Sequence, residues 1–178
     1  MLTFAKKIGV LKSFWHRRAA NKSLNATVEQ KRLNQPFTIK RVRVLLDGSL
    51  EIPEAFFTRL SKALGIAPVN VHIFVFSARS AIEKQYEHFF DIEEVTYFGN
   101  FQGELALMCA KEVDLQIHFF SRKSRYMSWI ASTAKNKLSV GFSGADQRIN
   151  DLVFDFDPKE TDTFLTELVK YLTILEKL

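Results

Sequence analysis

The residues with the clearest capacity for chemistry are Ser121-Arg122-Lys123-Ser124-Arg125, which follow an apolar run and precede a helical pattern. Helix N-terminal amides and three cations would converge on one anion there, and the helix dipole adds to the attraction. A capped helix start with solvated Arg and Lys accounts for the same residues, because Ser is a common N-cap. A second candidate is the segment from Gly141 to Asp151, GFSGADQRIND. Its two glycines permit close backbone approach or positive φ, and Asp146, Arg148 and Asn150 could read a polar ligand beside Ser143 and Gly144. The plainer alternative is a long turn held by an Asp146–Arg148 contact. Gly-Phe-Ser-Gly lacks the third glycine of a dinucleotide fingerprint and the Gly-Lys-Ser/Thr of a phosphate loop. It also lacks the Gly-x-Ser-x-Gly of a nucleophile elbow.

Asp47, in Asp47-Gly48-Ser49 after another apolar run, completes the anion- and ligand-binding candidates. Asp151, Asp155 and Asp157 invite a carboxylate site, but Asp157 reads as an N-cap and Asp151 as a turn residue, so no metal is expected. His16, His72, His88 and His118 are scattered without ligand spacing, and His72 and His118 fall in strands, where core or half-buried positions are the default. Cys109, the only cysteine, follows Met108 in an apolar helix and reads as packing. No catalytic constellation and no cofactor are therefore expected, and the chain leans away from an enzyme while leaving that class open.

The elements that must hold these residues alternate. Strands are expected at 41–46, 71–76, 95–98, 115–120, 138–142 and 152–156. Helices are expected at 53–64, from the Ser80–Glu83 capping box through about Phe89, and at 104–112 and 125–134. Asp157-Pro158-Lys159-Glu160 supplies an N-cap, a Pro at N1 and a Glu at N3 for a terminal helix, 158–178. Such alternation predicts an α/β domain with a doubly wound, mostly parallel sheet of five or six strands and helices on both faces, Rossmann-like or flavodoxin-like. Ligands of such sheets bind beyond the carboxyl ends of the strands, where the candidates lie.

A chain of 178 residues with 47% apolar residues builds one core without disulfides or metals. The net charge of +5 conceals two unlike parts. Residues 1–44 hold 11 Lys/Arg against the single acid Glu29, for +10, whereas residues 45–178 hold 14 against 19, for −5. Phe4, Ile8, Leu11 and Trp15 recur at helical spacing, with Lys7 and Arg18 flanking that stripe and Lys6, Ser13 and Arg17 opposite. Lys12 adds to the charge, and the whole reads as a basic amphipathic helix preceding the main domain. From Ala20 to Gln35 the composition turns polar and is expected to form a linker, with residues 1–38 as helix and linker and 39–178 as the domain. Lys6, Lys7 and Lys12 interrupt the apolar stretch that a secretory signal needs. The longest uncharged run, Ala63–Ala78, has 16 residues, short of the about 20 needed to span a bilayer. A cytoplasmic protein, peripheral to a membrane at most, is expected.

The segment from Val140 to Asp151, followed by Asp155-Phe156-Asp157-Pro158-Lys159-Glu160, resembles the end of a small domain-of-unknown-function family of Bacteroidetes-type bacteria. The resemblance extends over most of the chain and implies no assigned activity. Lys137-Leu138-Ser139-Val140-Gly141-Phe142 is more loosely similar to a strand in one half of a two-domain nucleotide-sugar glycosyltransferase, a likeness of fold alone.

Together these features favour a non-catalytic binding module whose basic arm attaches it to an anionic partner, either nucleic acid or ribosome or an anionic membrane surface. The arm residues concerned are Phe4, Lys6, Lys7, Ile8, Leu11, Lys12, Trp15, Arg17 and Arg18. Packing of the stripe on its own domain is the plain alternative. The competing function is a nucleotide- or sugar-phosphate-handling enzyme, transferase-like, taking a phosphate-bearing small molecule at the carboxyl edge of the sheet.

Overall fold

The computed structural model describes residues 4–29, 36–76, 88–90, 92–120 and 124–178. Helix α1 (Phe4–Glu29) leads into strand β1 (Val42–Asp47), α2 (Glu54–Ala63), β2 (Val71–Phe76) and β3 (His88–Phe90). There follow α3 (Gly103–Ala110), β4 (Val113–Phe119), α4 (Arg125–Thr133), β5 (Asn136–Phe142), β6 (Leu152–Phe154) and α5 (Thr161–Ile174). The six strands form one sheet in the order β3-β2-β1-β4-β5-β6, and every neighbouring pair is parallel. The expected α/β class and parallel sheet are thus observed.

Alternation of side chains along each strand explains the two cores. Val42, Val44 and Leu46 of β1, with Leu115, Ile117 and Phe119 of β4, pack under Phe56 and Leu60 of α2 and Phe164 and Leu168 of α5. Phe119 lies 4.9 Å from Phe164 and 5.2 Å from Phe56, ring centre to ring centre. The opposite face carries Leu45 and Phe120 beneath Leu105 and Met108 of α3, Trp129 and Ile130 of α4, and Ala20 and Leu24 of α1.

Four expected elements change. The polar segment from Ala20 does not begin a linker, because α1 continues through Glu29, with Ala20 and Leu24 buried. The third strand is His88–Phe90 instead of 95–98. There, Val95 makes one antiparallel bridge to Phe101, and the chain reverses between Thr96 and Asn100 with Gly99 at φ 85°. Thr96 N–H donates to the Asn100 carbonyl at 2.9 Å and Thr96 Oγ1 accepts from Asn100 N–H at 2.9 Å, so turn chemistry overrides the strand propensity of Val-Thr-Tyr-Phe. Phe89, which the helix opening at Ser80 was expected to reach, sits in β3; the rest of that expected helix, its capping box included, lies outside the described residues.

The terminal helix starts at Thr161, not Pro158. Asp157 accepts from Lys159 N–H at 2.8 Å and its own N–H donates to Glu160 Oε1 at 3.2 Å, which closes a turn ahead of the helix.

Candidate functional site

The parallel sheet gathers Asp47, Ser124, Ser143 and Asp146 at its carboxyl edge, and each has a local structural task. Asp47 accepts from Ser49 N–H at 3.0 Å and Ser49 Oγ at 2.7 Å, capping a single 3-10 turn. Ser124 caps α4 through Met127 N–H at 3.4 Å, and Arg125 beside it is exposed. Ser143 donates to Asp155 at 2.5 Å, and Gly144 is exposed at the turn. Asp146 caps another 3-10 turn and is gripped by Arg148 through Nε at 2.9 Å and Nη2 at 2.6 Å. That bidentate contact raises the Arg148 pKa. Arg148 Nη1 also reaches Asn25 of α1 at 3.3 Å. Asp146 and Arg148 therefore fasten the glycine loop to α1. Ser121, Arg122 and Lys123 lie outside the described residues.

Beneath the loop runs a buried polar chain of which only Asn150 was among the candidates above. Arg43 and Gln116 are register partners on β1 and β4, and Arg43 Nη1 donates to Gln116 Oε1 at 2.8 Å. Gln116 Nε2 contacts His118 Nε2 at 2.8 Å and donates to the Ala131 carbonyl at 3.0 Å. With the amide nitrogen as donor, His118 Nε2 accepts and its proton sits on Nδ1, facing Asn150 Oδ1 at 2.6 Å. Burial pushes the His118 pKa down to about 4, so the ring is neutral near pH 7. Arg43 donates through Nη2 to the Met108 carbonyl at 2.6 Å and also to the Lys111 carbonyl, and so caps the end of α3. Its own pKa is lowered by burial to about 10, and it remains charged.

The sequence does carry a signal for part of this chain. Arg43, Gln116 and His118 occupy same-face positions in strands buried on both sides, where a polar residue must find an internal partner. Arg43 also leaves the exposed charge of the arm one cation smaller than the count over residues 1–44 implies, since it is 1% exposed.

A cleft of about 400 Å³ opens between α3 and α4, lined by residues including Phe101, Cys109, Trp129 and Lys135. Burial pushes the Cys109 thiol up to about 12, which keeps it protonated near neutral pH. Among the described residues no group of His, Cys, Asp and Glu could hold a metal ion, and no helix is long and apolar enough to cross a membrane.

The arm is partitioned by face. His16, Ala20 and Leu24, at i, i+4 and i+8, are buried. His16 Nε2 donates to the Thr96 carbonyl at 2.8 Å and its Nδ1 faces the Tyr126 hydroxyl at 3.3 Å. Ser23 bonds Thr133 Oγ1 and Ser132 Oγ, each at 2.9 Å, so α1 is seated on α4 by small and polar residues. The other side turns outward: Phe14 is 55% and Trp15 38% exposed, alongside exposed Arg18 and Lys22, with Arg17 exposed on the far flank of the helix. Phe98, 65% exposed, meets Trp15 edge-to-face at 6.1 Å. Lys12 is half-buried. Phe4, Lys6, Lys7, Ile8 and Leu11 occupy α1, with side chains outside the described residues.

No curated protein and no solved structure matches the chain. Residues 12–175, which take in the seated half of α1 and the whole sheet, match the model of a family of unknown function, DUF6913, and the chain belongs to that family.

Proposed function

We propose that this protein is a non-catalytic α/β docking module of the cytoplasm that attaches to an anionic partner through the outward face of α1. The observation that carries this reading is the orientation of α1. Its packed side consists of His16, Ala20 and Leu24, while Trp15, Arg17, Arg18 and Lys22 face out. A helix that served only to cover its own core would place its large apolar residues inward. The acidic remainder of the chain, at −5, makes other faces less attractive to a polyanion. Asp47, Ser124, Asp146 and Arg148 at the carboxyl edge are occupied as caps and loop fasteners, which supports a binding role over catalysis.

The test uses the intact chain, because deleting α1 would uncover α4. Retention on a heparin matrix is compared between the wild type, Arg17→Glu/Arg18→Glu/Lys22→Glu, and a control of equal charge change, Lys40→Glu/Arg41→Glu/Arg125→Glu. The wild type and the control are expected to be retained to similar salt, and the α1 variant to elute early. Equal elution of both variants ends this reading.

A second reading is favoured by the strand order. The order 3-2-1-4-5-6 is that of Rossmann-type sheets, and it reverses winding between β1 and β4, where Asp47 and Ser49 lie on one side and Ser124 and Arg125 on the other. A nucleotide or sugar phosphate would bind there. Thermal-shift measurements with both ligand classes decide it: a stabilisation lost on Ser124→Ala/Arg125→Ala supports the site, and no stabilisation removes it.

A further inference from the structure

We propose that the anionic partner is a phospholipid bilayer surface, and that the turn at 96–100 docks with α1 by inserting Phe98 beside Trp15. The inference rests on the reading of α1 given above and adds the chemistry of the partner. Phe14, Trp15, Phe98 and Tyr97 form a continuous ridge of edge-to-face rings at 5.9, 6.1 and 5.3 Å. Two elements contribute to it, and they are locked together under the ridge. The His16 bond to the Thr96 carbonyl ties them, and a Cβ on Gly99 would lie 3.0 Å from the Ala19 Cβ. The ridge is therefore held as one surface, with no ordering of the loop needed on binding.

Two features favour lipid over nucleic acid. Single-stranded nucleic acid is held by cations together with flat ring faces on which bases stack. Here the rings are joined edge-to-face, and the sequence of α1 ahead of them holds Ile8 and Leu11, aliphatic residues with no π face. Aromatic rings, aliphatic residues and adjacent cations are the composition of a helix lying in a membrane interface, where Trp and Phe settle at headgroup level and Arg and Lys stems snorkel outward. No described helix can cross the bilayer, so the attachment is peripheral. The −5 charge of residues 45–178 is repelled by anionic headgroups, which orients the molecule with α1 toward the surface.

The two tryptophans make the proposal readable. Trp129 is 3% exposed and fixed in the core, so a change in emission on binding reports Trp15. The intact protein is titrated with vesicles of phosphatidylcholine plus phosphatidylserine, of phosphatidylcholine alone, and with single-stranded RNA, with brominated acyl chains as quencher. Binding to the phosphatidylserine vesicles with quenching that disappears in Trp15→Phe is expected. Arg17→Gln/Arg18→Gln/Lys22→Gln should weaken that binding about a hundredfold, since each cation near an anionic surface is worth about fivefold. Phe14→Ala/Phe98→Ala, folded by circular dichroism, should weaken it about tenfold or more. Binding to RNA but not to vesicles overturns the lipid inference and leaves the anionic-partner reading standing. Binding to neither overturns both. Vesicle binding unchanged in Phe14→Ala/Phe98→Ala overturns the insertion of the aromatic ridge.

Discussion

His118 donates from Nδ1 to Asn150 Oδ1 at 2.6 Å, and the Asn150 side chain occupies the space that a Cβ on Gly141 would need, 2.6 Å from that same oxygen. Gly141 is thus required by close approach and not by a special φ. Through Asn150 the glycine loop is joined to the polar chain that begins at Arg43.

Gly141→Ala should therefore destabilise the protein by about 1–3 kcal/mol, the range for forcing an extra carbon into a packed site. In an Asn150→Ala background the same substitution should cost less, because the obstructing side chain is gone. Chemical denaturation of the two single variants and the double variant measures the coupling. Strict additivity would refute the contact.

The His118 ring gives a pH dependence of definite sign. Its pKa is depressed in the folded chain from 6.5 to about 4, so the unfolded chain takes up the proton first as pH falls. The stability associated with the neutral ring is fully present above pH 6.5 and is lost progressively toward pH 4. His118→Gln should flatten that part of the profile of unfolding free energy against pH. An unchanged slope would exclude His118 as its source.

Arg43 and Arg125 should behave oppositely although both are basic residues of the sequence. Arg43→Ala leaves Gln116 Oε1 and the carbonyls at the end of α3 without their donor and opens a cavity, at a cost of about 3 kcal/mol or more. Arg125 is exposed, and its replacement by Ala should stay within about 0.5 kcal/mol. Thermal melts of the two variants test the difference.

The same comparison distinguishes the two faces of α1. Leu24→Ala should cost about 2–5 kcal/mol as a buried truncation, whereas Phe14→Ala, on the exposed side, should be close to neutral. A large loss from Phe14→Ala would mean that the ridge is core.

How much of this could be read from the sequence depends on whether the signal was local. Strand β2 falls at Val71–Phe76 as its apolar run predicts, and Ser124 caps α4 where the Ser-Arg pattern puts the helix start. The seating of α1 was not legible, because its packed face uses Ala19, Ala20 and Ser23, chosen for size, while the conspicuous Trp15 faces out. Hydrophobic periodicity ranks residues by transfer energy and cannot report close approach between helices. The polar chain was half legible: Gln116 and His118 betray themselves at alternate strand positions, but the partner of His118 lies 32 residues further on, where only the fold can bring it. The short β3 carries too few residues to outweigh the strand propensity at 95–98.

The central claim, that the outward side of α1 is the attachment surface, is tested most directly by hydroxyl-radical labelling of the intact chain, free and bound to an anionic probe. Val69 and Ile174, which are 78% and 66% exposed on elements that pack with the opposite face of the sheet, serve as internal references. The account predicts protection of Phe14, Trp15 and Phe98 on binding with the references unchanged. Protection of the references while Phe14, Trp15 and Phe98 stay fully labelled would contradict it.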